Sequence, residues 1–185
     1  MTLEEFYDGY QVRRLRADEK IPSFDCGDED LNDFIINDAS AYRKALLAVT
    51  YIVEEKVSGT IVAYFSLAND RVGLADFPDK TQFNRFRKHK FVNEKRLKSY
   101  PATKICRLGI AEILKGQHIG SYLMDFIKTM FVMEDRTGCR FLTVDAYSDA
   151  VKFYQKNDFE FLSVTDEGSR TRLLYYDLAD LNSSL

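Results

Sequence analysis

Seven residues, Lys115-Gly116-Gln117-His118-Ile119-Gly120-Ser121, join the apolar run ICRLGI to the helix pattern SYLMDFIKTMFVM. Backbone N–H groups in the first turn of a helix lack an intrahelical acceptor, and the positive end of the helix dipole lies behind them. A glycine-containing approach lets a phosphate reach those groups, and Lys115 would add a cation at the rim. On these residues alone two readings stay open, a phosphate cradle and a plain tight turn. His118 stands where a third glycine would be expected, and any positive φ there would be strained. Histidine is a frequent acid or base in catalysis, but a residue in this loop would face the phosphate, so His118 reads as a rim residue or phosphate neighbour rather than a catalyst. Tyr154 carries a phenol able to donate a proton, yet Phe153-Tyr154 lies on an amphipathic stretch where one ring must pack. No Ser/His/Asp set and no metal-ligand spacing is present. Cys26, Cys106 and Cys139 are far apart among apolar neighbours, the pattern of core thiols in a reducing compartment.

The elements that must position these residues follow from periodicity. YQVRRLR (10–16) alternates as a half-buried strand does. The turn-like PSFDCGDED follows, and Asp28 or Asp30 would cap a helix starting near Leu31, with Leu31, Phe34, Ile35 and Ala39 on one face. Residues 46–53 and 60–67 are β-rich runs around a turn containing Ser58-Gly59. Segment 80–99 is charged, with helical spacing of Phe83 and Phe86. Pro101 marks a break, and 102–110 reads as a buried strand. Residues 120–134 form a helix with Leu123, Phe126, Ile127, Met130 and Phe131 at helical spacing. A strand at 141–144, a short helix at 148–156 and strands at 159–164 and 172–178 complete the chain. Such alternation predicts an α/β fold around one sheet.

The 185 residues hold no long spacer, which predicts one domain over 1–185. Apolar residues make up 45% and charged residues 30%, and no apolar run reaches the ~20 residues that span a bilayer. The acidic start MTLEEFYDGY has no apolar signal core, so a cytoplasmic protein without a membrane partner is expected. Net charge is −3, but unevenly placed. Residues 80–107 carry ten lysines and arginines against one acid, Glu94, a local charge of +9, and the rest of the chain sums to −12. A cationic tract of this kind is either a solvated face or a polyanion site.

The stretch RLGIAEILKGQHIGSYLMDFI resembles the acetyl-CoA-binding motif of the GNAT superfamily of N-acetyltransferases, in which a buried strand leads to Gln/Arg-x-x-Gly-x-Gly/Ala and a helix. Lys115 takes the Gln/Arg position, His118 the first glycine position and Gly120 the second. DAYSDAVKFYQKNDFEFL is similar to the family's Ala-x-x-Phe-Tyr-x-Lys-x-Gly-Phe segment through Ala150, Phe153, Tyr154, Lys156 and Phe159. There are three departures: His118 for glycine, Asp158 for glycine, and Tyr147 for a common asparagine. The resemblance implies a single GNAT-like α/β domain, a mixed, mostly antiparallel sheet flanked by helices. It implies an acetyl-CoA-dependent N-acetyltransferase acting on a primary amine by direct transfer, with no metal. Leu108, Gly109 and Ile110 would offer backbone groups to the pantetheine, and the amide after that strand would be an oxyanion donor. The N–H groups of Gln117, His118, Ile119, Gly120 and Ser121 would hold the diphosphate, with Lys115 adding charge at the rim and Gly116 as the extra glycine of bacterial members. Tyr154 becomes the candidate general acid and Glu112 a candidate base, with a solvated loop carboxylate as its alternative.

FDCGDEDLNDFI (24–35) is similar to the opening of a bacterial GNAT subgroup that includes toxins acetylating aminoacyl-tRNA. Three functions are therefore carried forward. They are an N-acetyltransferase with an unidentified amine acceptor, a toxin acting on charged tRNA, and a non-catalytic acyl-CoA-binding module. The second adds tRNA, bound through segment 80–107 with Phe83, Phe86, Phe91 and Tyr100 interleaved, and an antitoxin as candidate partners. A homodimer is a further expectation from the resemblance.

Overall fold

The computed structural model describes residues 2–92, 95–133 and 137–182. Seven strands are present among the described residues: β1 (Tyr10–Arg14), β2 (Val49–Glu55), β3 (Ile61–Gly73), β4 (Ser99–Ile110), β5 (Phe141–Tyr147), β6 (Glu160–Phe161) and β7 (Thr171–Asp177). They form one sheet in the order β1-β2-β3-β4-β5-β7-β6. The β1–β2, β2–β3, β5–β7 and β6–β7 pairings are antiparallel. β4 and β5 run parallel, with Ala102 opposite Phe141 and Lys104 opposite Thr143. The helices are α1 (Leu3–Gly9), α2 (Glu29–Asp33), α3 (Ala39–Lys44), α4 (Lys80–Lys90), α5 (Ile119–Met133), α6 (Val151–Lys156) and α7 (Leu178–Asn182). This is the mostly antiparallel α/β architecture that the resemblance implies. Its residues gather into two compact units, Met1–Ala68 with Ile105–Ile127, and Asn69–Lys104 with Lys128–Leu185.

In the first unit Asp28 caps α2 by accepting the Leu31 N–H, and a single π turn (Phe34–Asp38) carries the helix into α3. The face predicted from sequence is the buried one: Phe34, Ile35 and Ala39 pack with Phe24, Ile52 and Tyr64, and Leu31 lies against them. The Tyr64 hydroxyl donates to the Leu31 carbonyl (2.7 Å), which satisfies its polar end in the core. On α5 the fully buried Ile119, Leu123 and Ile127 recur every fourth residue, the spacing of one helix face.

In the second unit α4 is capped by Asp79, whose carboxylate accepts the Gln82 N–H, and its last turn is basic, as the helix dipole favours. Phe83 is buried, and Phe86 and Phe91 pack on a cluster that contains Phe77, Tyr100, Phe141 and Tyr175. Asp177, 4% exposed, ties this layer to β7. Its carboxylate accepts from Lys90 Nζ (3.0 Å) and from Arg140 Nη2 (3.0 Å), with Arg140 Nε 2.7 Å away.

Several expectations change. The aromatics interleaved in segment 80–107 face inward, Phe83 and Tyr100 buried and Phe86 and Phe91 packed against their cluster; the two residues 93 and 94 lie outside the described residues. Pro101 does not break the chain but lies near the start of β4, where a missing N–H is tolerated. Residues 46–48 are not strand. Leu46, with φ 59°, and Leu47 close the C-terminal turn of α3, the Leu47 N–H donating to Tyr42 O. The predicted strand 159–164 keeps only Glu160–Phe161, and the helix 148–156 starts at Val151. Glu134, the last residue of the helix predicted over 120–134, lies outside the described residues. The helix α1, with a Thr2–Glu5 capping box, was not predicted.

Candidate active site

The predicted loop lies wholly within the first unit. β4 ends at Ile110, the Ala111 N–H donates to Val62 O (2.8 Å), and one 3-10 turn, Glu112–Leu114, precedes the loop. The expectation of an oxyanion donor directly after the strand therefore fails, because pairing to β3 occupies that amide. Gly109 owes its identity to space, since a Cβ there would lie 2.6 Å from Tyr64 Cε1 and 3.1 Å from Phe24 Cε1.

Beyond the 3-10 turn, Gly116 (φ 77°) and His118 (φ 66°) both take the left-handed conformation. That is free for glycine and costs a residue with a Cβ about 1 kcal/mol. The expected strain at His118 is thus present, and the exposed imidazole takes part in no hydrogen bond or ion pair among the described residues. Asp158 (φ 65°), where aspartate stands for the family's glycine, takes the left-handed conformation too, with its carboxylate 3.4 Å from Lys128 Nζ. The two left-handed residues turn the chain so that α5 begins at Ile119, its first helical bond running from the Tyr122 N–H to His118 O (3.1 Å). Among 117–121, the Gln117 N–H is spent on Leu114 O (3.3 Å). Those of His118, Ile119, Gly120 and Ser121 have no acceptor among the described residues. Four adjacent donors without an acceptor among the described residues, at the positive end of a 15-residue helix, are the arrangement that anion binding at a helix start requires.

Lys115 and Glu112 pair with each other at the rim, Nζ to Oε1 2.5 Å, each side chain about half exposed. The carboxylate beside it raises the Lys115 pKa. Sequence reasoning missed what lies beneath them. The Asp25 carbonyl accepts the Glu112 N–H (3.1 Å), and Gly27 faces the pair. The signal was available, for Gly27 sits in an Asp-Cys-Gly turn that only glycine completes easily, at φ 75°.

Tyr154 belongs to the second unit. It is 6% exposed on α6, packed edge-on against Phe153 (5.0 Å) and Phe159 (5.5 Å). Its hydroxyl has no hydrogen-bond partner among the described residues. Burial pushes its pKa well above the phenol's ordinary value, so the side chain is a neutral proton carrier at physiological pH. The C-terminal end of α6 is held by Lys128, whose buried Nζ donates to Asn157 O (2.8 Å) and stands over the Tyr176 ring at 4.2 Å. Tyr147 lies half exposed with Arg170 over its ring.

A series at position 118 separates backbone from side chain. His118→Gly should leave coenzyme A affinity within about twofold, whereas His118→Val, β-branched at a positive φ, should weaken it at least tenfold in titration calorimetry. A tenfold loss in the glycine variant, about 1.4 kcal/mol, would give the binding role to the imidazole.

Comparison with known proteins bears on both motifs. The profile of the Acetyltransferase (GNAT) domain matches residues 80–178, a span that contains the loop and α6. No curated protein matches the sequence. Among solved structures, a tyrosine-to-phenylalanine variant of KacT has a TM-score of 0.72 at 20% identity, covering 96% of this chain and 99% of that one. AtaTR bound with AcCoA gives 0.70 at 22% identity, covering 96% and 98%. AtaT complexed with acetyl-methionyl-tRNAfMet gives 0.70 at 21%, covering 95% and 98%. These likenesses concern the fold. The family profile spans more than half of the chain, and the protein belongs to the GNAT acetyltransferase domain family.

Proposed function

We propose that the chain is an acetyl-CoA-dependent N-acetyltransferase that passes the acetyl group directly to a primary amine in a ternary complex. The observation that carries this reading is the run of four amides at 118–121 that have no acceptor among the described residues, behind two left-handed residues, inside the segment matched by the family. These donors suit the diphosphate of coenzyme A, with Lys115 beside them and the main chain of Leu108, Gly109 and Ile110 serving the pantetheine. The amine nitrogen attacks the thioester carbonyl carbon and the carbon–sulfur bond breaks. Tyr154 gives its proton to the departing sulfur, and the phenolate regains one from the acylated nitrogen. An unbonded, neutral phenol supports an enzyme over a binding module. No helix among the described residues is long and apolar enough to cross a membrane.

The test is transfer of labelled acetyl from acetyl-CoA to a panel of amines, with release of free thiol followed in parallel. A thermal shift with coenzyme A but no transfer to any acceptor would leave only the binding module. Absence of both would remove the reading altogether.

A second reading, acetylation of the amino acid on charged tRNA, is favoured by the surface of the basic segment. Lys80, Arg85, Lys88, Lys95 and Lys98 are exposed and have no ion pair among the described residues. With the phenylalanines turned inward, α4 presents cations to water, as phosphate-backbone binding needs. AtaT, a structural neighbour, has been seen complexed with acetyl-methionyl-tRNAfMet. A toxin of this kind would have an antitoxin and act as a dimer. Labelled acetyl in the tRNA fraction, lost in an Arg85→Glu/Lys88→Glu variant that still binds coenzyme A, would establish it. Equal labelling by that variant would dismiss α4 as the tRNA surface.

A further inference from the structure

The segment 25–32 makes a set of contacts that acyl transfer does not use. The Asp25 carboxylate accepts from the Gly27 N–H (2.8 Å) and from Asn32 Nδ2 (3.0 Å), and the Cys26 N–H donates to Asn32 Oδ1 (2.9 Å). The first of these bonds is the main reason the Asp25 carboxyl titrates below its ordinary value. So fixed, the turn presents two things to the start of the loop. The Asp25 carbonyl takes the Glu112 N–H, and the bare Cα of Gly27 lies under the Glu112–Lys115 pair. A Cβ at 27 would come within 2.1 Å of Glu112 Oε1 and 3.1 Å of Lys115 Nζ. The Lys115 ammonium is therefore located by Glu112 from one side and by Gly27 from another.

We propose that Glu112 is a positioning residue that holds Lys115 against the Asp25–Gly27 turn and competes with the coenzyme diphosphate for its ammonium. Binding then hands Lys115 from carboxylate to diphosphate. This rests on reading 115–121 as the diphosphate loop. Three physical points support it. An exposed pair three residues apart is among the weakest of ion pairs, so exchanging it costs little. A carboxylate 2.5 Å from Lys115 Nζ offsets that cation, and the Asp25 carboxylate acts on it as well, so an approaching anion meets no uncompensated positive charge from Lys115. Attraction between exposed charges falls off over roughly 10 Å at 0.1 M salt, so any gain from removing the carboxylate must fade as salt is added.

Titration of the full-length protein with coenzyme A and with pantetheine, which lacks the diphosphate, tests this. Glu112→Gln should tighten coenzyme A by roughly three- to fivefold at low salt, an effect of the size expected for one exposed charge. The gain should shrink toward none near 0.5 M salt, where the screening length is a few ångströms. Pantetheine affinity should not follow, and Glu112→Asp, which keeps the charge, should bind as wild type does. Coenzyme A affinity unchanged or weakened in Glu112→Gln overturns the proposal, as does an equal gain for pantetheine. A kcat loss of a hundredfold at unchanged affinity would overturn it in favour of a general base. Wild-type protein that binds no coenzyme A would instead bring down the diphosphate-loop reading, and this inference with it.

Discussion

Tyr154→Phe should lower kcat by roughly 10²- to 10³-fold, within the range general acid catalysis supplies, while coenzyme A affinity stays within about twofold. The phenylalanine ring preserves the contacts to Phe153 and Phe159. The hydroxyl it removes has no partner among the described residues, so the thermal midpoint should not fall. The effect is therefore confined to proton delivery, which a plot of kcat against the pKa of the leaving thiol would show. Wild type should need the acid most for poor leaving groups, and the variant should recover on activated thioesters. The pH profile adds an independent check. Burial raises the Tyr154 pKa above its ordinary value of 10.0, so its proton-bearing form persists at every pH below that. An alkaline fall in rate centred between about pH 6 and 9 must come from another group, and Tyr154→Phe should leave its position unchanged. A kcat within threefold of wild type would deny the phenol its role.

Asp177→Ala should cost about 3 kcal/mol of stability. This is the lower end of the range for breaking a buried ion pair, because Lys90 and Arg140 keep partial access to water. The carboxylate is nearly inaccessible and serves both cations as well as the Ala179 N–H. Without it, two positive groups remain under the aromatic layer of α4 with nothing to balance them. For a chain of this size the loss corresponds to a midpoint lower by roughly 10 °C, read by calorimetry. Asp145→Ala supplies the control. Its pair with Lys104 is only 2.8 Å long, but half the Asp145 side chain faces water, so the loss should stay below about 1 kcal/mol. Equal losses in the two variants would mean that burial does not set the strength of these pairs.

What the sequence disclosed and what it hid divide along physical lines. Strands such as β1 and β2 were legible because alternation is a local property of the chain, and α5 because its apolar residues return every turn. Two of the left-handed positions, His118 and Asp158, were found by mapping them onto glycine positions of a family, since neither residue type announces a positive φ, whereas Leu46 was not foreseen. Hidden features depended on partners distant in sequence. Pro101 reads as a break until β4 is seen to begin just before it. Leu46 and Leu47 are apolar enough for a strand, yet the hydrogen bonds that close α3 claim them. The phenylalanines interleaved in the basic segment show no inward face in sequence, because Phe141 and Tyr175, which pack on Phe86, and Phe141, which packs on Phe91, lie fifty or more residues later. The site was half legible: the loop and the phenol came from motifs, whereas the Asp25–Gly27 turn beneath Glu112 emerged only when residues 85 positions apart met.

Lys128 also bears on how the protein would be handled by its own chemistry. An enzyme that acylates amines lives among its own lysines, and an exposed ε-amine such as that of Lys88 is open to adventitious acylation. The Lys128 amine is shielded by the Tyr176 ring and committed to the Asn157 carbonyl. It can meet an amine-reactive reagent only when its surroundings open. Its labelling rate, normalised to that of Lys88, therefore gives the opening equilibrium around α6, and a clock for the segment that carries Tyr154.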